Sequence, residues 1–187
     1  MSTTFSKSTD SPAFLNWFGI SHAVDAQKEP LKLYHGSGAD TGNVFHAGTF
    51  FSARPDVAGI YAAAPTRQTP NAGPNIAQVY LSIQRPYVFD DSLINDNLSH
   101  HVLGRRGTVA QVITKLAADG YDSLILKNYH DLGGVQDQYV VFCSSQIKSA
   151  IGNNGDFDAT NPDIRFSMPD VNEIEDDSEN DTEAPCP

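Results

Sequence analysis

Three short motifs follow one another along the chain, and each places a polar or aromatic side chain at the end of an apolar stretch. They are residues 33–37, residues 48–52 running on to Tyr61, and residues 137–142. A His-Gly turn at His35 offers an imidazole and backbone groups to a ligand, and an aromatic side chain on a following helix can stack on a flat ring. An amide at the start of a strand, at Gln138, can hydrogen-bond a sugar hydroxyl. Together the motifs predict a cleft for a flat, polar ligand of dinucleotide type.

The spacing of apolar residues predicts the elements that hold these motifs in place. The predicted strands are residues 31–35, 50–53, 76–83, 123–127 and 138–142, with a further short element at 147–151. A helix is expected to begin at Ser52 and Pro55, because proline is tolerated in the first helical turn. Residues 128–137 contain glycine and are predicted to form a loop. Strands and helices do not alternate regularly, which favours an α+β fold over a doubly wound sheet.

Residues 108–119 give the strongest helix signal. Thr108 and Gln111 match a capping box, in which each side chain satisfies an amide of the first turn. Apolar residues recur at helical spacing through the segment. Gly120 follows at the position where a left-handed residue ends many helices. The sequence therefore predicts both ends of this helix.

Length and charge limit the organisation of the chain. Its 187 residues are enough for one domain with a substantial core. The net charge is −11, and residues 169–187 hold eight acidic residues and no Lys, Arg or His. The rest of the chain is nearly balanced, which argues against a general basic face for nucleic acid. Residues 1–11 are expected to be a flexible lead-in, and residues 169–187 to be a disordered acidic tail, because they have too little apolar surface to fold.

Cysteine usage and hydropathy favour a cytoplasmic protein. The two cysteines, Cys143 and Cys186, lack metal-binding spacing, and a disulfide between them is not expected, so a reducing compartment is the default. The Ser/Thr-rich start lacks the apolar run of a secretory signal. No segment approaches the ~20 apolar residues needed to span a bilayer.

The motifs and their order resemble the ADP-ribosyltransferase fold, in the branch of diphtheria toxin and the poly-ADP-ribose polymerases. A closer resemblance is to the small ADP-ribosyltransferase domains of polyvalent proteins in phages and conjugative elements. Those domains open with a Trp-Phe-Gly segment, matched here at residues 17–19, and close with segments matched by residues 146–150 and 161–167. The resemblance covers about residues 12–168. It implies one ADP-ribosyltransferase-like domain, with an NAD cleft between two small packed β-sheets.

The resemblance also implies a role for each motif residue. His35 would hydrogen-bond the adenosine-side ribose of NAD, and Gly36, which lacks a Cβ, would let the ligand approach the backbone closely. Phe50, standing where the branch has a tyrosine, and Tyr61 would sandwich the nicotinamide ring. The weaker candidates for the NAD site are Ser37, Ser52 and Ala58.

Gln138 departs from the family, which usually has a glutamate whose carboxylate stabilises the cationic ribose as nicotinamide leaves. A glutamine can accept the same hydrogen bond but carries no negative charge. Three interpretations stay open: an altered but competent transferase, a transferase with a nucleobase-like or small target, and a binder that has lost the chemistry. The neighbouring Asp137 would point to the opposite face of the strand.

Two polar segments are secondary candidates. The basic cluster His100, His101, Arg105 and Arg106 is expected to be either a solvated loop or a phosphate contact. The segment before the Gln138 strand contains Tyr129, His130 and Asp131. Because the loop at this place in the superfamily often contacts the acceptor, these residues are expected to recognise the target.

The favoured function is mono-ADP-ribosyl transfer from NAD to an acceptor, with a protein preferred over a nucleic acid. His35 and Gln138 are the catalytic candidates, NAD is the substrate, and no metal or membrane is implied. The resemblance suggests a monomeric phage or mobile-element effector or toxin in bacterial cytosol. The alternatives are an inactive module that binds NAD, ADP-ribose or a partner on the same scaffold, and a structural virion component.

Overall fold

A mixed β-sheet forms the centre of the computed structural model, which describes residues 8–38, 43–64, 74–92, 97–153, 155 and 157–165. The helices are α1 (Pro12–Phe18), α2 (Pro55–Ala63), α3 (Leu98–Leu103) and α4 (Val109–Ala118). The strands are β1 (Leu33–Ser37), β2 (Phe50–Ser52), β3 (Asn75–Leu81), β4 (Pro86–Asp90), β5 (Ser123–Asp131), β6 (Gly134–Val141) and β7 (Ile147–Ser149). The predicted acidic tail and residues 1–7 of the predicted lead-in lie outside the described residues.

The seven strands lie in the order β4-β5-β6-β2-β1-β3-β7. All neighbours are antiparallel except β4 and β5, which are parallel. The α+β prediction is confirmed, but the described strands form one sheet where two packed sheets were expected. The reason is a single bridge between β1 and β2, in which Tyr34 lies opposite Ser52. This narrow junction divides the sheet into a β4-β5-β6-β2 half and a β1-β3-β7 half.

Strand β6 shows how the sheet supports a core on each face. Tyr139 and Val141 belong to one buried cluster, together with side chains of β1 and β3. Val140 and the following Phe142 belong to another cluster, together with Leu116 of α4. Because successive side chains of a strand point to opposite faces, one strand contributes to both cores. Gln138 shares the face of Val140, which is the α4 side of the sheet.

Helix α1 docks on the sheet through aromatic side chains. Ser11 caps the helix by accepting a hydrogen bond from Phe14 N. Phe14, Trp17 and Phe18 are buried against Phe157, and Trp17 Nε1 donates to the Ser145 carbonyl oxygen at 3.1 Å. The Trp-Phe-Gly motif at the start of the resemblance therefore has a structural role in anchoring this helix.

The motif at the end of the resemblance is also structural. Lys148 of β7 is completely buried, and its Nζ donates to the carbonyl oxygens of Asn161 and Asp163 at 2.6 and 3.2 Å. Gln146 Oε1 accepts from the backbone amides of Phe142 and Cys143. Burial lowers the pKa of Lys148, because an ammonium group loses hydration in the interior. Lys148 thus ties the last described segment to the sheet edge.

The helix prediction at residues 108–119 is confirmed. Thr108 and Gln111 form both hydrogen bonds of the capping box, and Val112 and Leu116 are buried. Gly120 follows with φ of +88°, the left-handed conformation expected at this position.

Strand β4 and helix α3 are additional to the sequence prediction. Strand β4 begins at Pro86 and lies at a sheet edge, where proline is tolerated because one side of the strand needs no hydrogen bonds. Helix α3 spans six residues and buries none of them, so it gives no apolar stripe in the sequence. His100 and His101 therefore lie on a helix rather than in the expected loop.

The prediction that the cysteines form no disulfide is wrong for Cys143. Cys143 is disulfide-bonded, whereas no disulfide was expected; Cys186 lies outside the described residues. Within the described ranges, the longest helix has ten residues and no helix is long and apolar enough to cross a membrane.

Candidate active site

A cavity of about 450 Å³ opens where the two halves of the sheet meet. Its volume lies within the usual range of small-molecule sites. Seven of the eight predicted site residues line it: His35, Gly36, Phe50, Ser52, Ala58, Tyr61 and Gln138. Ser37, the eighth, ends β1 and is not part of the cavity wall. The three sequence motifs therefore converge in space.

His35 is held as a neutral imidazole. Its Nδ1 lies 2.9 Å from the Phe50 carbonyl oxygen, and because a carbonyl only accepts, Nδ1 must carry the proton. Its ring packs edge-on against Phe45 and tilted against Phe51, with centroid distances of 5.4 and 5.7 Å. Burial lowers the pKa of His35 below its ordinary 6.5, partly opposed by the hydrogen bond to Phe50. The remaining nitrogen, Nε2, is then a hydrogen-bond acceptor.

We expect His35 to make the free energy of unfolding depend on pH. Between its lowered native pKa and the ordinary 6.5, the unfolded chain binds more protons than the native chain, so stability falls as the pH falls through that window. Urea unfolding over about pH 5 to 8 measures this slope. His35→Gln should flatten it, while His22→Gln, at an exposed position outside the cavity, should not. Equal slopes in the two variants would contradict the buried neutral imidazole.

Gly36 is required by the packing of α2 against β1. A Cβ at this position would lie 1.7 Å from the Ala58 carbonyl oxygen, far inside any permitted contact. The glycine lines the cavity, but the missing side chain makes room for the helix backbone. The contact with Ala58 accounts for the glycine by itself, and the close approach of a ligand to Gly36 stays a prediction.

Ser52 and Gln136 form a buried polar pair at the base of the site. Ser52 Oγ donates to Gln136 Oε1 at 2.8 Å and accepts from Arg54 N at 3.1 Å. Gln136 Nε2 is buried and has no hydrogen-bond partner in the described part of the chain. Ser52 lies opposite Gln138 in the β2–β6 pairing. The serine thus links the start of α2 to the strand that carries Gln138.

The segment expected to be a loop, residues 128–137, is instead most of a β-hairpin. Strand β5 runs to Asp131 and β6 starts at Gly134, with Asp131 paired to Gly134. Gly134 has φ of +88°, a conformation that glycine adopts without strain. At the tip, Arg54 Nη1 donates to the Gly133 carbonyl oxygen at 2.9 Å. The hairpin therefore closes against the start of α2.

A β-bulge in this hairpin determines which side chains face the cavity. Leu126 pairs with Gln138 and Tyr129 with Gln136, so two residues of β5 lie opposite one residue of β6. An extra residue reverses the side-chain alternation beyond it. Tyr129 and Asp131 therefore lie on the Gln138 face, and both line the cavity. Without the bulge they would point to the opposite face.

Asp137 stabilises the bulge. It lies opposite Lys127 and Asn128, the two residues of the bulge, and accepts from Asn128 N at 3.1 Å and from Lys127 Nζ at 2.5 Å. Asn128 has φ of +51°, in the left-handed region that asparagine tolerates better than most residues. As predicted, Asp137 points away from the Gln138 face. Its role is in the geometry that turns Asp131 toward the cavity.

Asp131 is the centre of a hydrogen-bond network in the cavity. Its Oδ1 accepts from Tyr61 Oη at 2.5 Å and from Leu132 N at 2.7 Å, and its Oδ2 accepts from Gln138 Nε2. Burial, with the hydrogen bond to Asp131, raises the pKa of Tyr61 to about 12, so the phenol remains a donor. Because Gln138 Nε2 is engaged, the amide oxygen of Gln138 is left as the acceptor on the cavity side.

A family comparison agrees with this geometry. The model for ADP-ribosyltransferase domains in polyvalent proteins matches residues 25–157, which is well over half of the chain. The chain belongs to this family. No curated protein matches it. The matched region begins after α1 and contains every residue that lines the cavity.

ADP-ribosyltransferase domains use NAD as a substrate, and the cavity has the chemistry for a ligand of that kind. Phe50, Tyr61 and Tyr129 supply aromatic walls, which suit a flat ring. Nε2 of His35 and Oε1 of Gln138 are hydrogen-bond acceptors, the kind of group to which a sugar hydroxyl can donate. The described residues contain no group of three or more His, Cys, Asp or Glu side chains arranged to hold a metal ion.

The sequence predicts that Asp131 recognises the acceptor, and the structure places Asp131 in the cavity beside Gln138. The sequence feature that could have indicated this position is the pair Lys127-Asn128 opposite Asp137, which forms the bulge. Residue types alone, however, do not predict a β-bulge reliably. In this ADP-ribosyltransferase domain the basic cluster lies on α3 and just after it, where His101 packs edge-on against Phe89 at 5.5 Å. None of its side chains lines the cavity.

Proposed function

We propose that the protein is an NAD-dependent mono-ADP-ribosyltransferase. The observation that carries the proposal is the convergence of His35, Tyr61 and the hydrogen-bonded pair Gln138–Asp131 on one cavity in a chain of this family. The reaction breaks the bond between nicotinamide nitrogen and the ribose C1′. The bonding electron pair leaves with nicotinamide, which becomes neutral, and C1′ becomes cationic. An acceptor nucleophile then donates an electron pair to C1′ and loses its proton to solvent.

Each motif has a task in this reaction. His35 Nε2, an acceptor because Nδ1 donates to Phe50, binds a hydroxyl of the adenosine-side ribose. Phe50 and Tyr61 flank the nicotinamide ring. Gln138 Oε1 accepts from a hydroxyl of the ribose that carries nicotinamide, and the orientation of this amide is fixed by Asp131. Preorganised groups of this kind stabilise charge as it develops in the transition state.

The acceptor is proposed to be a protein that approaches over the hairpin tip. Leu132 and Val135 are 74% and 51% exposed and lie at or beside the tip, next to Asp131. We further propose that the protein acts as a monomer in the cytosol, as an effector or toxin of a phage or mobile element.

A non-catalytic module that binds NAD or ADP-ribose is the second candidate. One observation favours it: residue 138 is an amide, so the position that usually carries a carboxylate in the family has no charge. The binder would retain the His35 and Gln138 hydrogen bonds and the aromatic walls. The two candidates predict the same binding of NAD and differ in the release of nicotinamide.

NAD is expected to raise the melting temperature, because a ligand that binds only the native state stabilises it by mass action. The gain is about 2.7 kcal/mol at a hundred times Kd. His35→Ala should reduce the NAD-dependent shift at a fixed NAD concentration, since it deletes a ribose contact worth about 1 kcal/mol. The control His22→Ala should leave the shift unchanged. Absence of both a thermal shift and calorimetric heat for the wild type would contradict both candidates.

A further inference from the structure

We propose that Asp131 is a further catalytic residue of this site and supplies the negative charge that Gln138 lacks. The proposal rests on the proposed transferase function. The family's usual glutamate would place a carboxylate at position 138. Here the carboxylate comes from the neighbouring strand, in hydrogen-bond contact with Gln138 Nε2. The charge is therefore present in the cavity, displaced by one side chain.

The hydrogen bonds of Asp131 define its state. Tyr61 Oη, Leu132 N and Gln138 Nε2 are all donors, so the carboxyl group acts as an acceptor with both oxygens, as an ionised carboxylate does. Two of these bonds end on Oδ1 and one on Oδ2. A carboxylate oxygen can accept two, so Oδ2 keeps one acceptor position for the substrate.

Among the described residues, Asp131 also has no basic side chain as an ion-pair partner, unlike most structural carboxylates. Among the described residues, the ion pairs involve Asp56, Asp119, Asp137 and Asp163, and none involves Asp131. Its neighbours in the cavity are neutral, since Tyr61 and Gln138 carry no charge and burial keeps His35 uncharged. An uncompensated negative charge acts on a nearby cation, and the attraction strengthens when a bound ligand displaces water from the cavity.

Three local features hold Asp131 in its position in the cavity. The bulge at residues 127–128 turns Asp131 to the Gln138 face, and Asp137 holds the bulge. The Arg54–Gly133 hydrogen bond closes the hairpin against α2, which brings Tyr61 to the carboxylate. A residue serving only to recognise the acceptor would not need to be fixed from both the hairpin and α2.

In the reaction, the carboxylate forms no covalent bond. As the C1′–nitrogen bond breaks and its electron pair leaves with nicotinamide, positive charge develops on C1′ and the ring oxygen. Asp131 stabilises that charge electrostatically, while Gln138 Oε1 binds the adjacent hydroxyl. The contribution exists mainly in the transition state, so its loss should lower kcat and leave the affinity for NAD nearly unchanged.

The test compares nicotinamide release and NAD affinity in four proteins: wild type, Asp131→Asn, the charge-exchanged double variant Asp131→Asn/Gln138→Glu, and the control Asp119→Asn. Asp131→Asn keeps the shape of the side chain and removes its charge. We expect its kcat to fall at least about 100-fold, with the Kd for NAD within about fivefold. The double variant should recover at least about tenfold over Asp131→Asn, because it returns one carboxylate to the pair. Asp119→Asn, at the residue that ends α4 and outside the cavity, should match the wild type.

Several results would overturn the proposal. An active wild type with Asp131→Asn within about threefold of it removes Asp131 from the chemistry and leaves the transferase intact. If Asp131→Asn does not fold, the double variant decides, because it preserves an amide–carboxylate pair: a folded double variant with no turnover overturns the assignment. A wild type that binds NAD but releases no nicotinamide with any acceptor preparation overturns the transferase function and, with it, this role.

Discussion

Gly36→Ala is expected to destabilise the protein by at least about 3 kcal/mol, the upper end of what overpacking usually costs. The added Cβ would lie 1.7 Å from the Ala58 carbonyl oxygen. This contact is with backbone, so no side-chain rotation relieves it, and α2 must move away from β1. Urea unfolding followed by the fluorescence of Trp17, the single tryptophan, measures the change. Since Ala58 and Tyr61 lie on α2, the same shift should also remove NAD binding.

Gly59→Ala is the matched control, one residue from Ala58 on the same helix. A Cβ there meets nothing within 4 Å. Alanine is a better helix former than glycine by about 1 kcal/mol, so this variant should be as stable as the wild type or more stable. If Gly36→Ala and Gly59→Ala behaved alike, the close approach of α2 to β1 would be contradicted.

Gln138→Ala is expected to abolish NAD turnover, with a loss of about 1,000-fold in kcat. The substitution removes the acceptor for the ribose hydroxyl and also the donor that holds Asp131 Oδ2. NAD binding should weaken only modestly, because one neutral hydrogen bond contributes about 1 kcal/mol. Nicotinamide release under saturating NAD and calorimetric titration separate the two effects.

Gln138→Glu is the second substitution at this position, and it distinguishes a transferase from a binder. It places a second carboxylate against Asp131, and two carboxylates in contact share a proton because both cannot easily be ionised. One negative charge remains in the pair, so turnover should be kept. In a pure binder the wild type would show no turnover, and Gln138→Glu would be the variant that gains it. Equal rates with Gln, Ala and Glu at position 138 would show that the chemistry lies elsewhere.

The sequence predicted elements whose signals are local. Thr108, Gln111 and Gly120 predicted both ends of α4, since capping depends on residues within one turn. The motifs around His35 and Gln138 predicted side chains that converge on one cavity, because each lies on or beside a short strand with a clear apolar pattern. The resemblance to polyvalent-protein ADP-ribosyltransferase domains is confirmed over residues 25–157.

The features that the sequence did not predict depend on contacts between distant segments. The bulge at Asn128 arises from pairing with Asp137, and it decides which face Asp131 occupies. The continuity of the sheet depends on one backbone bridge, Tyr34 to Ser52, which no residue pattern encodes. Strand β4 gives no clear apolar pattern because it lies at a sheet edge, where Phe89 is its one buried residue and Val88 is 52% exposed. The arrangement of side chains in the cavity is therefore harder to predict from the sequence than the fold.

The most direct test of the proposed transferase function follows both halves of NAD at once. The wild-type protein is incubated with NAD labelled in the adenylate phosphate and a bacterial lysate, and free nicotinamide and macromolecule-bound label are measured over time. We expect nicotinamide to be released in step with label entering macromolecules, and Gln138→Ala to give neither signal. Binding of NAD without nicotinamide release, in every lysate at saturating NAD, would contradict the transferase and leave the protein as a binding module.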